Sequence, residues 1–523
     1  MGDVRQLKLL ELVHCVVWGP WLMGFFLAAG LWYTFCSGGF QFWGAGIWWK
    51  ATVGSLFGRK ENDGKNEKGK EKESDKRNKK ENEGEKKRRR GGEERGKGNE
   101  GRSRKEGRSH KEGRKAQLKT ACTALAATVG TGNIVGVATA ILAGGPGALF
   151  WMWLSAAMGM MTAYAEVFLG ITSREKRKDG SWLCGPFIYL DRMAGRRGLA
   201  IAYAFLCLLG SLGMGSMVQA NSLAETAKFS FHLPPLGTAV ILVLVTAVII
   251  RGGQNRIGEA AAALVPVSAG VYLLFSGMVI FLCRRYLGEV LADIFREAFC
   301  FRAGAGAAAG RGMGNALRYG IARGVFSNEA GLGTMAVLHG DSPGEDAKKD
   351  AKLQGMWAMF EVFFDTIVVC TVTGLVILCG VKAAEAGMTA GQAGVGFPAV
   401  SGAGAASWCF EHYLGKVGGY SVSVSLMLFA FATVIGWYYL GGQALRYLME
   451  GKGQGKKKTA WVNGLYRFFY LAAAAVGCLA PMAGVWLFSD IINGLLALPN
   501  LIALFLLWDR VSFPQSIDRK SGD

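Results

Sequence analysis

Long apolar runs separated by short polar connections occupy most of the 523 residues. The runs at 236–250, 260–283, 366–380, 421–445 and 485–508 approach the ~20 residues that a helix needs to cross a bilayer. Eleven spanning helices are predicted, near 13–36, 118–143, 147–171, 198–226, 236–251, 258–283, 313–338, 353–381, 420–448, 463–480 and 483–508. The aromatic stretch Phe40–Phe57 and the segment Phe187–Gly195 are expected to lie at the membrane interface. Alternating the connections sorts their charge. Arg59–Lys119, Arg174–Lys178, Arg251–Arg256, Lys348–Lys352, Arg446–Lys458 and Arg510–Lys520 fall on one side, and the other side is poor in positive charge except for loop 284–312. Because cytoplasmic loops carry the excess of Lys and Arg, the N-terminus is expected outside and the C-terminus in the cytoplasm, in a plasma (inner) membrane.

Two helices depart from the apolar pattern. "VGTGN" (129–133) and "GVFSNEAGLGT" (324–334) place glycines and polar residues in mid-span. Glycine disfavours helix, and lipid cannot satisfy the backbone groups that a break releases. With the first helix set aside, ten remain, and each group of five opens with one of these breaks, starting from opposite sides of the membrane. Paired discontinuous helices in an inverted repeat are the sequence signature of a transporter site. Amides freed at one half-helix suit a carboxylate, and carbonyls freed at the other suit a cation or ammonium group. Thr128, Thr131 and Asn133 add side-chain oxygens of the kind that suit a small alkali cation.

The chain accordingly divides into an N-terminal helix with its interfacial segment (1–57), a charged cytoplasmic loop (58–117), a first five-helix repeat (118–283), an extracellular connection (284–312), a second repeat (313–508) and a cytoplasmic tail (509–523). The formal net charge of +20 would suggest nucleic acid, but over half of the excess lies between Arg59 and Lys119. A stretch so poor in apolar residues is expected to be disordered and solvated. Contact of Lys86–Arg90 with anionic lipid or RNA is the alternative, and no nucleic-acid partner is expected. The 11 cysteines are scattered, mostly in apolar segments, and are read as reduced and structural.

"CTALAATVGTGNIVGVATAILAGGPGALFWMW", "MVQANS", "YGIARGVFSNEAGLG", "EVFFDTIVVCTVTGLVIL", "IGWYY" and "NGLLALPNLIALFLL" resemble the alanine or glycine:cation (sodium) symporter family, within the amino acid–polyamine–organocation superfamily. The resemblance runs from about Trp18 to Leu507, apart from the charged insert. It implies an all-α polytopic membrane protein, with a leucine-transporter-like 5+5 inverted repeat and one extra N-terminal transmembrane helix. It also implies uptake of a small neutral amino acid (alanine or glycine) coupled to Na+ by alternating access. No other cofactor and no enzymatic activity are implied. Carried over by position, Ala126 and Val129 lend carbonyls to Na+, and Thr433 completes that site with its hydroxyl. Gly130, Thr131, Gly132, Asn133, Gln219, Phe326, Thr433 and Trp437 line the substrate site. The family usually has Ser before that Thr. Here the residue is Ala432, which removes one hydroxyl from the sodium site.

Other polar residues lie in apolar helices, where a carboxylate is expensive and faces the bundle interior. Glu166, Glu361, Asp365 and Glu329 are open to proton relay or to neutralisation by hydrogen bonding, and Glu329 and Asp365 are the gating or coupling candidates. Gln219 and Asn221 are open to substrate contact or to interhelical hydrogen bonding, and Trp151 and Trp153 are packing or interface aromatics. Two rival readings follow: a proton-coupled amino-acid transporter, and a transporter-like sensor or scaffold acting through the basic loop.

Overall fold

The computed structural model describes residues 2–57, 120–177, 180–300, 313–344, 346–387, 402–449 and 456–514. The charged loop 58–117 lies outside them, as do 301–312 of the connection expected between the two repeats and the tail from 515. Helices carry the architecture. In chain order they are α1 (Gly2–Val17), α2 (Pro20–Cys36), α3 (Thr120–Thr128), α4 (Val135–Gly144), α5 (Gly147–Ser173), α6 (Arg197–Leu212), α7 (Gln219–Phe231), α8 (Pro235–Arg251) and α9 (Gly253–Leu282). They continue as α10 (Leu287–Ala298), α11 (Met313–Asn328), α12 (Thr334–Leu338), α13 (Ala347–Val362), α14 (Thr371–Gly387), α15 (Gly402–Met449), α16 (Lys456–Leu479) and α17 (Met482–Leu506). Among the described residues, eight helical segments are long and apolar enough to cross a membrane. The protein is an all-α multi-pass membrane protein.

Local chemistry sets the ends. Pro20 and Pro235 open α2 and α8 at a position where the missing amide proton costs nothing. Asp346 caps α13 by accepting from the amides of Lys348 and Lys349 at 3.0 and 3.2 Å. Several elements differ from the expected pattern. The first predicted span is present as Lys8–Cys36, interrupted at Gly19, which is extended between α1 and α2. The interfacial stretch forms three short helices, Phe40–Trp43, Ala45–Ala51 and Val53–Phe57. The segment 187–195 holds the end of a short helix, Pro186–Ile188, and a π-turn, Tyr189–Met193. α15 is two helices joined at Gly415 (φ 64°, ψ −163°): the part after Gly415 is the helix expected at 420–448, and a further helical segment from Gly402 precedes it.

Core side chains are packed around α3, α4, α5, α11 and the first part of α15, while Leu236, Val240, Leu244, Leu274, Phe281 and Phe468 remain outward and exposed. Exposed apolar residues on the outer helices are what a lipid-facing surface requires. Two further π-turns interrupt helices: Phe363–Cys370 between α13 and α14, which packs against both breaks, and Gly213–Val218 between α6 and α7, which packs against α15, α16 and α17. Such bulges concentrate at functional sites because they re-aim side chains within a helix.

Candidate substrate and cation site

The first predicted break is present. The axis bends by 54° between Thr120–Thr128 and Thr131–Gly144, and Gly130 is extended (φ −132°, ψ −151°). Its amide is taken by the Asn133 Oδ1 at 3.0 Å, and the Thr131 amide donates to Gln219 Oε1 at 3.2 Å. The carbonyls are treated differently. The Thr433 hydroxyl lies 3.2 Å from the Ala126 oxygen, 3.4 Å from that of Val129 and 3.1 Å from that of Phe429. One hydroxyl has one proton, so it satisfies one of these carbonyls and leaves its own lone pairs facing the same point. This cluster sits at the C-terminal end of α3, where the helix dipole is negative. A small hard cation matches such an oxygen set.

Glycine is required here by close approach. A Cβ on Gly130 would sit 2.7 Å from Thr433 Oγ1 and 3.1 Å from Gln219 Oε1, and one on Gly132 would sit 3.1 Å from the Ser327 Cα. Gly436 likewise lets α15 lie against Ala127. Phe326 is 3.2 Å from the Gly132 position, and its ring stacks on Trp486 with centroids 5.2 Å apart. Trp437, one turn after Thr433, is fully buried against Gly210 and the Gly213–Val218 π-turn; a Cβ at Gly215 would overlap it. The Thr131 hydroxyl is buried beside this group with no hydrogen-bond partner.

The second break follows α11. Glu329 (φ 56°), Gly331 (φ 88°) and Gly333 (φ 78°) are left-handed, and Glu329 bears the strain of a side chain in that region. Its carboxylate accepts from Trp437 Nε1 at 2.9 Å and from the Thr334 hydroxyl at 2.6 Å, joining this break to the wall of the first. Asp365, on the Phe363–Cys370 π-turn, accepts from Asn133 Nδ2 (2.5 Å), the Ser327 hydroxyl (2.7 Å) and the Thr366 hydroxyl (2.9 Å). One carboxylate therefore ties the two breaks together. Three donors leave this group serving as a fastening.

Among the candidates, Ala126, Val129, Gly130, Gln219 and Thr433 form one cluster, and Gly132, Asn133, Phe326 and Asp365 an adjoining one. Glu329 and Trp437 close the side. Gln219 spends both ends of its amide on backbone, the Thr131 amide and the Met214 carbonyl, and acts as a brace. Asn221 lies apart and donates to the Gly477 and Ala480 carbonyls, an interhelical tie. Thr128 turns its hydroxyl back on its own helix. Glu361 pairs with His339 in a separate, fully buried cluster. Trp151 and Trp153 donate to the Ala298 carbonyl and to Thr371.

The structure also shows contacts that no motif announced. Phe429 contributes a carbonyl, which carries no residue signature. Ser327 and Asn328 flank the second break, and the "SN" before Glu329 was the available signal. Arg323 and Asp490 form a bidentate ion pair (3.0 and 2.8 Å), with Arg323 over the Trp486 ring and His14 3.6 Å from Asp490. An arginine in "IARG" and an aspartate in "FSD", both within apolar helices, were the hints.

An apolar bundle whose two interrupted spans meet at buried polar groups is a membrane transporter. The sodium:alanine symporter family model matches residues 99–513, and the chain belongs to that family. It is 39% identical over 394 residues to "Sodium/alanine symporter AgcS" of Methanococcus maripaludis, covering 74% of this chain and 80% of the relative. It is 38% identical to an "Uncharacterized transporter" of Haemophilus influenzae (73% and 79% covered) and 34% identical to "Probable sodium/glutamine symporter GlnT" of Bacillus subtilis (74% and 75% covered). A solved structure, MhsT in complex with L-phenylalanine, matches at 14% identity and TM-score 0.43, covering 75% of this chain and 98% of that one. That likeness is too distant to add to the argument. The protein is a sodium-coupled amino-acid symporter, not an enzyme.

Proposed function

We propose that the protein couples Na+ entry to uptake of alanine or glycine by alternating access in the plasma membrane, with its N-terminus outside and its C-terminus cytoplasmic. The carrying observation is the convergence of the Ala126, Val129 and Phe429 carbonyls on Thr433 beside an extended glycine. Na+ occupies that oxygen cluster. The substrate lies along Gly130–Asn133, with Phe326 and Trp437 closing a pocket sized for a small side chain. The two breaks head the halves of a 5+5 inverted repeat, to which α1 and α2 are the added N-terminal segment. The name of AgcS points to alanine, and that of GlnT to a larger neutral substrate, so substrate size rests on the pocket wall.

Proteoliposomes test this reading directly. An imposed Na+ gradient should drive accumulation of labelled alanine and glycine, and leucine should compete poorly. Accumulation that follows a proton gradient without Na+ would overturn it and move the coupling role to Glu329 or Asp365.

A further inference from the structure

Helix α17 carries a polar stripe, Trp486, Ser489, Asn493 and Asn500, whose spacing of three, four and seven residues places it on one face. Its two ends are used differently. Asn500 is fully engaged, donating to Glu166 Oε1 (2.6 Å) and the Gly331 carbonyl (2.9 Å) and accepting from the Tyr189 hydroxyl. By contrast, Trp486 Nε1, Ser489 Oγ and both Nδ2 and Oδ1 of Asn493 have no hydrogen-bond partner, although these residues are only 5%, 0% and 2% exposed. Buried polar atoms inside a membrane protein are normally paired. Four unpaired ones on consecutive turns face something polar.

Their surroundings say where. Ser489 Oγ lies 3.1 Å from the point a Cβ on Gly213 would occupy, at the start of the Gly213–Val218 π-turn. Trp437 packs on the same turn at Gly215, and Gln219, just beyond it, braces the first break. Ile492 and Leu496 approach Gly210 at 3.7 and 3.9 Å, as does the Trp437 ring at 3.5 Å. Trp486 stacks on Phe326. The stripe therefore borders the proposed pocket wall on the side of α17. Its charge character is also defined. Asp490 pairs with two nitrogens of Arg323, whose Nε is also unpaired, while the unpaired atoms of the α17 stripe itself are all neutral. The Asn493 amide offers a donor group and an acceptor atom, and Ser489 adds a hydroxyl, which together complement a neutral group that both donates and accepts.

We propose that Ser489 and Asn493 are specificity-determining residues that bind a short polar neutral side chain of the transported amino acid, a serine-type hydroxyl. This rests on the symport reading above, and deepens it: a methyl gains nothing from this wall, whereas a hydroxyl finds both of its partners. A site that hydrogen-bonds a hydroxyl discriminates through the groups left unpaired when the hydroxyl is missing.

The test compares serine with alanine by equilibrium binding to purified protein in Na+ and by competition against sodium-driven alanine uptake. Asn493→Leu should weaken serine about tenfold, while the alanine constant changes less than about threefold. Ser489→Ala should shift the ratio in the same direction by about fivefold or less. Equal loss for both amino acids in Asn493→Leu would assign a merely structural role and overturn the proposal, as would an unchanged ratio in both variants. If Asn493→Leu fails to fold, the smaller Ser489→Ala change decides by the same ratio. Absence of sodium-driven alanine uptake in the unmutated protein would instead overturn the symport reading, and the binding ratio still tests the wall.

Discussion

The two helix breaks solve the same problem in opposite ways. In the second, each irregular group has its own partner. The Gly331 carbonyl accepts from Asn500 (2.9 Å), that of Leu332 from the Tyr203 hydroxyl (2.8 Å) and that of Glu329 from the Leu332 amide (3.1 Å), while the Ala330 amide donates to Asn328 (3.0 Å). In the first break, the carbonyls of Ala126 and Val129 share the single proton of Thr433, which also faces the helix-bonded Phe429 carbonyl four residues back on its own helix. An unmade buried hydrogen bond costs about 1–3 kcal/mol. A fold that fastens one break so completely shows that its chemistry can do so, and the under-satisfied oxygens of the other are where the proposed cation would gain most. On that proposal the second break is structural support, and the first is where binding energy is available.

Removing a fastening from the second break should therefore harm stability and leave sodium alone. Asn500→Ala strips partners from Glu166, Gly331 and Tyr189 together, with an expected cost of about 3 kcal/mol. A thermal melt of the detergent-solubilised protein should drop by several degrees, while the sodium concentration for half-maximal uptake in the surviving fraction stays within about twofold. A large shift in sodium response would erase the contrast between the breaks.

Thr433→Ala should show the reverse. It leaves the packing of α15 on α3 at Gly436 and Ala127 untouched but removes the hydroxyl that faces the Ala126 and Val129 carbonyls. We expect the half-maximal sodium concentration to rise at least about tenfold, corresponding to about 1.4 kcal/mol, with little change in melting temperature. An unaltered sodium titration would move the cation elsewhere.

Trp437 joins the two regions, since its indole donates to Glu329 in the second break while its ring would wall the proposed pocket at the first. Trp437→Ala should admit larger side chains and weaken alanine by about fivefold through lost contact. Competition by leucine, negligible in the unmutated protein, should become measurable. Leucine displacing alanine equally well before mutation would show that this ring does not limit substrate size.

Much of this contrast was legible in the chain, though unevenly. Glycine and asparagine in mid-span announce a break because their physical cost is local, and "VGTGN" and "SNEAGLG" were found on that ground. The position of Thr433 came through family resemblance, since a lone Thr in an apolar helix has no distinctive local pattern. What stayed hidden depends on contacts across the fold. The Asn133–Asp365 bond joins residues 232 apart, and Asn500 meets Glu166 across 334. The Phe429 carbonyl has no side-chain identity to read. Small residues in "GAGAA" hid the helical segment that precedes Gly415, because their weak hydropathy does not mark a span although they suit close helix packing.

The finest distinction lies next to the cation cluster. Ala432 is fully buried in a small apolar group with Ala126, Ala261 and Val265, on a face of α15 adjacent to the Ala126 carbonyl that Thr433 approaches. A hydroxyl introduced there would add an oxygen beside a cluster whose side-chain supply is one hydroxyl. Ala432→Ser should lower the half-maximal sodium concentration by about threefold, a change well under the ~1 kcal/mol that a single neutral hydrogen bond contributes. Because coupling between two ligands is reciprocal, alanine binding at limiting sodium should tighten in the same direction. Ala432→Cys separates ligation from packing: it adds comparable bulk but a sulfur that serves a hard cation poorly. If Ser and Cys shift the sodium titration equally, the effect is one of packing in the apolar group, and Ala432 does not border the cation site.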